Sequence, residues 1–184
     1  MNKQPSWDET YKNGRDFKYL STADLDYIIN KTGLKSGKAL DIGCGTGQLA
    51  RDLYHRGFEV TGVDLSPAAI DIANFSTVKL GQGIDFIAED FMSFNTTEQF
   101  DLAICKYVLA FISDKPAFAK KVRESMAPKS CFVVISPNLE SLPESRKNIA
   151  LSVKDIKNLL GSEFGEVVYE TRDSDDYFFA QLNR

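Results

Sequence analysis

The stretch Lys38-Ala-Leu-Asp-Ile-Gly-Cys-Gly-Thr-Gly-Gln-Leu49 decides how the rest of the chain is read. Ala39, Leu40 and Ile42 form a short apolar run, long enough for one buried strand and too short for a core helix. Gly43, Gly45 and Gly47 follow at alternate positions. Gln48, Leu49, Ala50, Leu53 and Tyr54 then stand at helical spacing, closed by Gly57. The pattern predicts strand, glycine turn, helix. Glycines at such a junction permit positive φ and leave the backbone bare for close approach. The helix behind them adds amide donors and the positive end of its dipole. A second predicted strand, Glu59–Asp64, ends in a carboxylate 17 residues after Gly47. In a doubly wound sheet that position can accept the hydroxyls of a ribose.

Dinucleotide sites space their glycines G-x-G-x-x-G/A. Here the third glycine comes one position early, and Gln48 stands where that pattern wants Gly or Ala. Asp41-Ile-Gly-Cys-Gly-Thr-Gly47 instead resembles the first motif of the class I S-adenosylmethionine-dependent methyltransferases, an acidic residue followed by G-x-G-x-G. The likeness is to the small, minimal bacterial-type members and covers essentially residues 7–184. It implies S-adenosyl-L-methionine as cofactor. It also implies an α/β fold: a doubly wound, mostly parallel seven-stranded sheet with a C-terminal antiparallel hairpin and helices on both faces.

The composition is compatible with that expectation. A chain of 184 residues suits one domain with a full core, here residues 1–184 with residues 1–36 as an N-terminal helical cap. The formal net charge of −4, with no stretch concentrating Lys or Arg, argues against nucleic acid as the main partner. Three cysteines (44, 105 and 131) without metal spacing fit reduced, cytoplasmic thiols and no metal site. No apolar run approaches the length of a membrane span. Residues 1–6 carry no apolar core of a signal peptide. Oligomeric state is not legible.

In chain order, a short helix over 6–13 is expected with Ser6 as N-cap, then a second from Thr22 to about Lys31. Trp7, Tyr11, Phe17 and Tyr19 read either as an aromatic lid or as ordinary packing of an N-terminal helix. Ser66-Pro67 starts a helix reaching about residue 77. Ile84–Ala88 is the third strand, Phe100–Cys105 the fourth and Cys131–Ser136 the fifth. Asp114 caps a helix whose core stripe is Phe118, Val122 and Met126, ended by Pro128. Residues 137–151 read as a long irregular stretch that could act as a lid, with Arg146 and Lys147 as solvated loop charges. A helix starts at Ser152 and is closed by Gly161. Glu166–Thr171 and Tyr177–Leu182 form a hairpin with Asp173, Asp175 and Asp176 at a solvated tip.

The resemblance assigns roles residue by residue. Asp41 would lie near the methionine ammonium of the cofactor, directly or through water, Gly43, Cys44, Gly45 and Gly47 would form its binding turn, Asp64 would hold the ribose, and Leu65, Asp90 and Phe91 the adenine. Cys105 would contribute backbone. Lys106, Tyr107 and Phe111, with Tyr11 and Tyr19 from the cap, would line the acceptor pocket. The expected chemistry is in-line displacement of a sulfonium methyl toward a small-molecule acceptor. No catalytic residue is assigned. The lone histidine, His55, reads as a helix-end residue, so an amine, a thiolate or another soft anion is favoured over a hydroxyl that needs a base. Two alternatives stay open: a protein that binds the cofactor without turnover, and a nicotinamide-dependent oxidoreductase.

Overall fold

The computed structural model describes residues 6–81 and 83–182. The segment Met1–Pro5, part of the expected cap and of the segment read for a signal peptide, lies outside them. Seven strands form one sheet: β1 (Gly37–Ile42), β2 (Phe58–Asp64), β3 (Ile84–Ala88), β4 (Phe100–Lys106), β5 (Met126–Pro137), β6 (Val167–Arg172) and β7 (Asp175–Gln181). Their order is β3-β2-β1-β4-β5-β7-β6. β2 runs parallel to β1 and to β3, and β4 parallel to β5, whereas β7 is antiparallel to both β5 and β6. This is the doubly wound sheet with a closing hairpin that the sequence predicts. The helices are α1 (Trp7–Lys12), α2 (Thr22–Thr32), α3 (Gln48–Tyr54), α4 (Pro67–Thr77), α5 (Lys115–Glu124) and α6 (Val153–Phe164). The chain divides into two compact units, Met1–Asn95 and Thr96–Arg184.

In the first unit, α3 packs on β1, β2 and β3, and α4 on β2 and β3. Serine side chains cap α1, α2 and α4: Ser6 and Ser66, as predicted, accept from Glu9 N and Ala69 N, and Ser21 accepts from Asp24 N. Pro67 at the first turn of α4 loses no bond there, because that amide has no intrahelical partner. The apolar residues of β1 and β2 are buried from Ala39 to Ile42 and from Gly62 to Asp64, so the last residues of both strands are fixed by packing.

In the second unit four boundaries differ from the sequence reading. Met126 lies in β5, paired with Phe100, and is not part of the α5 stripe. A helix continued to Pro128 would drive its ring against the Glu124 carbonyl, so α5 stops at Glu124. The α6 helix runs through Gly161 to Phe164, because Leu160 and Phe164 are buried on one face while Gly161 has open space around its α-carbon. Residues 144–149 of the long loop form a 3-10 turn. Asp175 and Asp176 are buried and do not form a solvated tip: they lie in the ladder of β7, opposite Pro137 and Ser136 of β5 and Arg172 and Thr171 of β6. Asp176, 1% exposed, accepts hydrogen bonds from Asn138 Nδ2, Tyr169 OH and Thr171 Oγ1 at 2.9, 3.2 and 2.8 Å.

Candidate functional site

The site in the first unit is built where β1, β2 and β3 end together, with Ile42 opposite Val63 and Asp64 opposite Ala88. The chain leaves β1 through Gly43, whose N–H donates to Val63 O at 2.8 Å, and Cys44 N adds a bond to the same carbonyl at 3.2 Å. Gly43, Gly45 and Gly47 all have positive φ, at 72°, 53° and 76°. Gly47 then begins α3, its carbonyl accepting from Arg51 N.

The three glycines are not equivalent. A Cβ on Gly47 would lie 2.5 Å from Phe86 Cζ and 3.0 Å from Ala73 Cβ, so this glycine makes room for a ring beneath it. Gly62 on β2 serves the same ring, with Phe86 Cδ1 at 2.8 Å from its ideal Cβ. A Cβ on Gly45 would instead meet the Tyr11 hydroxyl at 2.7 Å. The spacing of the motif identifies the turn, but it gives no hint of Phe86, which comes from β3.

Asp64 joins the two loops at this edge. Its Oδ2 accepts from Gly45 N at 2.8 Å and its Oδ1 from Ser66 N at 2.9 Å. The carboxyl is 8% exposed, and burial raises its pKa from the ordinary 3.8, opposed by those two backbone bonds. Asp41 is buried below the turn. Burial, then Asp41 and Asp64, push the Cys44 thiol well above its usual range, so Cys44 is a neutral packing residue here. Leu65 is 59% exposed beside Asp64. Asp90 is exposed, its Oδ1 accepting from Met92 N at 2.9 Å, whereas Phe91 is buried against Phe94.

The N-terminal segment closes on this turn through residues the motif reading did not single out. Asp8 Oδ1 accepts from Ser66 Oγ and Ala68 N, both at 3.0 Å. Asp16 Oδ2 accepts from Thr46 Oγ1 at 2.7 Å and from the Tyr19 hydroxyl at 2.9 Å. Tyr11 is 7% exposed. Burial first, then the charges of Asp64 and Asp16, hold its phenol far on the protonated side. Phe17 and Tyr19 are exposed.

In the second unit, Cys105 is fully buried in β4, and Lys106 pairs with Ile135 of β5. Tyr107 follows with φ 61°, a left-handed conformation, while its N–H donates to Ile135 O at 2.9 Å. A tyrosine held there is strained, and such strain collects at functional positions. The Lys106 ammonium lies 4.5 Å from the centre of the Tyr107 ring. Phe111 is half-buried in the 3-10 turn Leu109–Phe111, which packs against the 3-10 turn Glu144–Ile149. Lys147 pairs with Glu144 at 2.7 Å. His55 caps the end of α3 beside the Tyr54 ring and stands at no strand end. Among the described residues, no three His, Cys, Asp or Glu gather as metal ligands, and no helix is long and apolar enough to cross a membrane.

Comparison with known proteins agrees with this geometry. A family model described as a methyltransferase domain matches residues 34–176. The chain is 33% identical over 127 residues to the ubiquinone biosynthesis O-methyltransferase of Idiomarina loihiensis, covering 66% of this chain and 52% of that protein. It spans about half the length of the curated relatives it matches. Among solved structures, the N-methyltransferase NodS of Bradyrhizobium japonicum in complex with S-adenosyl-L-homocysteine superposes with a TM-score of 0.66 at 21% identity. That match covers 80% of this chain and 79% of NodS. An S-adenosylmethionine-dependent methyltransferase from Clostridium acetobutylicum gives a TM-score of 0.72 at 16% identity, over 87% of this chain and 89% of that one. Identities this low speak for the fold. The family model, matching more than half of the chain, speaks for descent: the chain belongs to the methyltransferase-domain family.

Proposed function

We propose that this protein is an S-adenosylmethionine-dependent methyltransferase that moves a methyl group to a small-molecule acceptor. The observation that carries the reading is the turn at Gly43–Gly47, held on the ends of β1 and β2 with Asp64 bonded to Gly45 N. The donor set suits such a cofactor. A buried acidic pair, Asp41 and Asp64, favours a ligand bearing ammonium and sulfonium charges. Asp64 uses one lone pair of each oxygen on the turn, and a carboxylate offers about four acceptor positions, which leaves capacity for ribose hydroxyls.

When bound, the cofactor supplies an electrophilic methyl on sulfur. The chain supplies position and electrostatics, and orientation alone contributes about 7–11 kcal/mol in favourable systems. Asp41 would lie near the methionine ammonium, Gly43, Cys44, Gly45 and Gly47 would form the cofactor turn, Asp64 would hold the ribose, and Leu65 with Asp90 the adenine. Phe91 would back them from the core. In the second unit, Cys105 is proposed to lend backbone, and Lys106, Tyr107 and Phe111 to face the acceptor. Tyr11 and Tyr19 would serve the acceptor from the N-terminal segment. Residues 1–184 are read as one such domain, and three buried cysteines outside any disulfide suit a cytoplasmic setting.

No histidine stands ready as a base, which supports an amine or thiolate acceptor. A second reading, a hydroxyl acceptor, is favoured by the O-methyltransferase relatives. There Tyr107, with the Lys106 ammonium over its ring, would take the proton in its ionised, phenolate form.

The test is a thermal melt with S-adenosylhomocysteine, S-adenosylmethionine, NAD and NADP in parallel. A ligand at about 100 times its Kd adds about 2.7 kcal/mol, and each kcal/mol moves Tm by about 2–4 °C at this size. A shift with the adenosyl ligands alone is expected. A shift with NAD or NADP alone would transfer the protein to oxidoreductase chemistry. Turnover against amine, thiol and phenol panels then separates an enzyme from a binder and fixes the nucleophile.

A further inference from the structure

The helix α4 has two apolar faces. Ala69, Ile70, Ala73 and Thr77 are buried where it packs on β2 and β3, and that face accounts for its place in the fold. The outward face is apolar as well. Ile72 is exposed, and Phe75 and Val78 stand 83% and 76% in solvent. Side chains three residues apart are neighbours on a helix surface. Val78 keeps helical φ and ψ of −46° and −33°, and Leu80 N donates to Thr77 O at 2.8 Å, so the surface runs on past the last helical turn. Scattered exposed apolar residues need no explanation, whereas a contiguous group marks a contact surface.

The charges around that group say what it contacts. Asp71 and Lys79 are both exposed and stand four residues before and four residues after Phe75, about 6 Å to either side along the helix. Asp71, Phe75 and Lys79 thus form one ridge of the i±4 kind, negative at one end and positive at the other. Among the described residues neither charge takes part in an ion pair within the chain. A two-fold axis beside Phe75 reverses the ridge. Asp71 then comes opposite the partner's Lys79, Ile72 opposite the partner's Val78, and the two Phe75 rings meet at the centre. Such ridges interdigitate at a crossing angle of about −50°, the commonest class in globular proteins. A parallel pairing would instead set Asp71 on Asp71 and Lys79 on Lys79. A membrane surface suits the face less well, because interfacial helices carry Lys and Arg on their polar side and α4 has neither.

We propose that the outward face of α4 is a self-association surface, on which two copies of this chain pair antiparallel across Phe75 in a register set by Asp71 and Lys79. One helix face per copy is small beside the roughly 1,200–2,000 Å² of a stable interface, so the dimer is reversible and governed by concentration. The pairing is independent of the cofactor reading.

Sedimentation equilibrium over a series of loading concentrations tests it. The wild type should show a monomer–dimer equilibrium. Phe75→Ser should weaken association at least tenfold. Asp71→Lys or Lys79→Asp alone should do the same, because two-fold symmetry counts each reversal twice and sets like charges opposite. The double variant Asp71→Lys/Lys79→Asp restores opposite charges and should return to within about threefold of wild type. An equimolar mixture of the two single variants should form a mixed dimer while each alone stays monomeric. All of these side chains are exposed, so every variant should melt with the wild type. A wild type that stays monomeric throughout, single reversals that change nothing, or a double variant no better than the single ones would each overturn the pairing. A monomeric wild type that binds phosphatidylcholine vesicles, and loses them in Phe75→Ser, would give the face to a lipid surface instead.

Discussion

At the end of β1 the chain turns through three glycines, and at the end of β4 it turns through a tyrosine. The backbone demand is the same, with φ of 72°, 53° and 76° at Gly43, Gly45 and Gly47 and 61° at Tyr107. For an L-residue that region costs about 1–2 kcal/mol. At β1 the neighbours would meet any side chain, Phe86 at Gly47 and Tyr11 at Gly45, so only glycine serves. At β4 the strain is accepted and a ring is presented under the Lys106 ammonium. The first turn is packed against rings that exclude a side chain, and the second displays one.

The largest effect is expected at Asp64. Asp64→Ala leaves Gly45 N and Ser66 N without their acceptor, at about 1–3 kcal/mol for each buried amide. Both Tm and affinity for S-adenosylhomocysteine should fall, the latter by about a hundredfold or more, about 2.7 kcal/mol. Calorimetry that finds affinity unchanged would break the assignment of the β1 edge. Next comes Gly47→Ala, which adds left-handed strain of about 1–2 kcal/mol to overpacking of about 1–3 kcal/mol against Phe86. The melt should drop accordingly, and Phe86→Leu in the same chain should return part of it. A Gly47→Ala protein as stable as wild type would mean the ring is not what requires this glycine.

Tyr107→Gly sharpens the other side. Relief of strain is offset by glycine's extra unfolded entropy of about 0.5–1 kcal/mol and by the lost ring–ammonium contact, about 0.5–1 kcal/mol. Stability should stay within about 1 kcal/mol while methyl transfer drops at least tenfold. Unchanged transfer would make Tyr107 a turn residue and nothing more.

The smallest effect is a pH signature. Burial raises the Asp64 pKa above 3.8, so its charge opposes folding. The stabilising contribution of its protonated form is fully present below 3.8 and is lost as pH rises through the folded pKa. Acidification into that window should raise the Asp64 contribution to stability while weakening cofactor binding. Measured against Asp64→Asn, the two trends should run in opposite directions, and parallel trends would contradict the raised pKa.

What was legible in the sequence was local. The glycine spacing, the serine caps and the carboxylate closing β2 each depend on a few adjacent residues, and the structure places each where the chain predicts. What escaped depends on contacts far apart in the chain. Asp8 and Asp16 look like surface acids until their partners at Ala68 and Thr46 are seen. Gly161 read as a helix end, yet an exposed glycine costs a helix only about 1 kcal/mol, and Phe164, packed on Phe132, lies one turn beyond the buried Leu160. Asp175 and Asp176 read as a solvated tip because nothing near them in sequence shows that β7 is covered on both flanks. Phe91 is buried with Phe94, a contact its position after β3 does not reveal, while Leu65 is exposed beside Asp64.

The ring of Phe86 also sets a rule for how such a chain can change over generations. It occupies the room released by Gly47 on one side and by Gly62 on the other. Neither glycine can acquire a side chain while the ring stays, and a smaller residue at position 86 would open a void under the turn. Positions 47, 62 and 86 are free to drift only in concert. The last glycine of the motif would therefore persist in a descendant that had lost its ligand, for as long as it kept its phenylalanine.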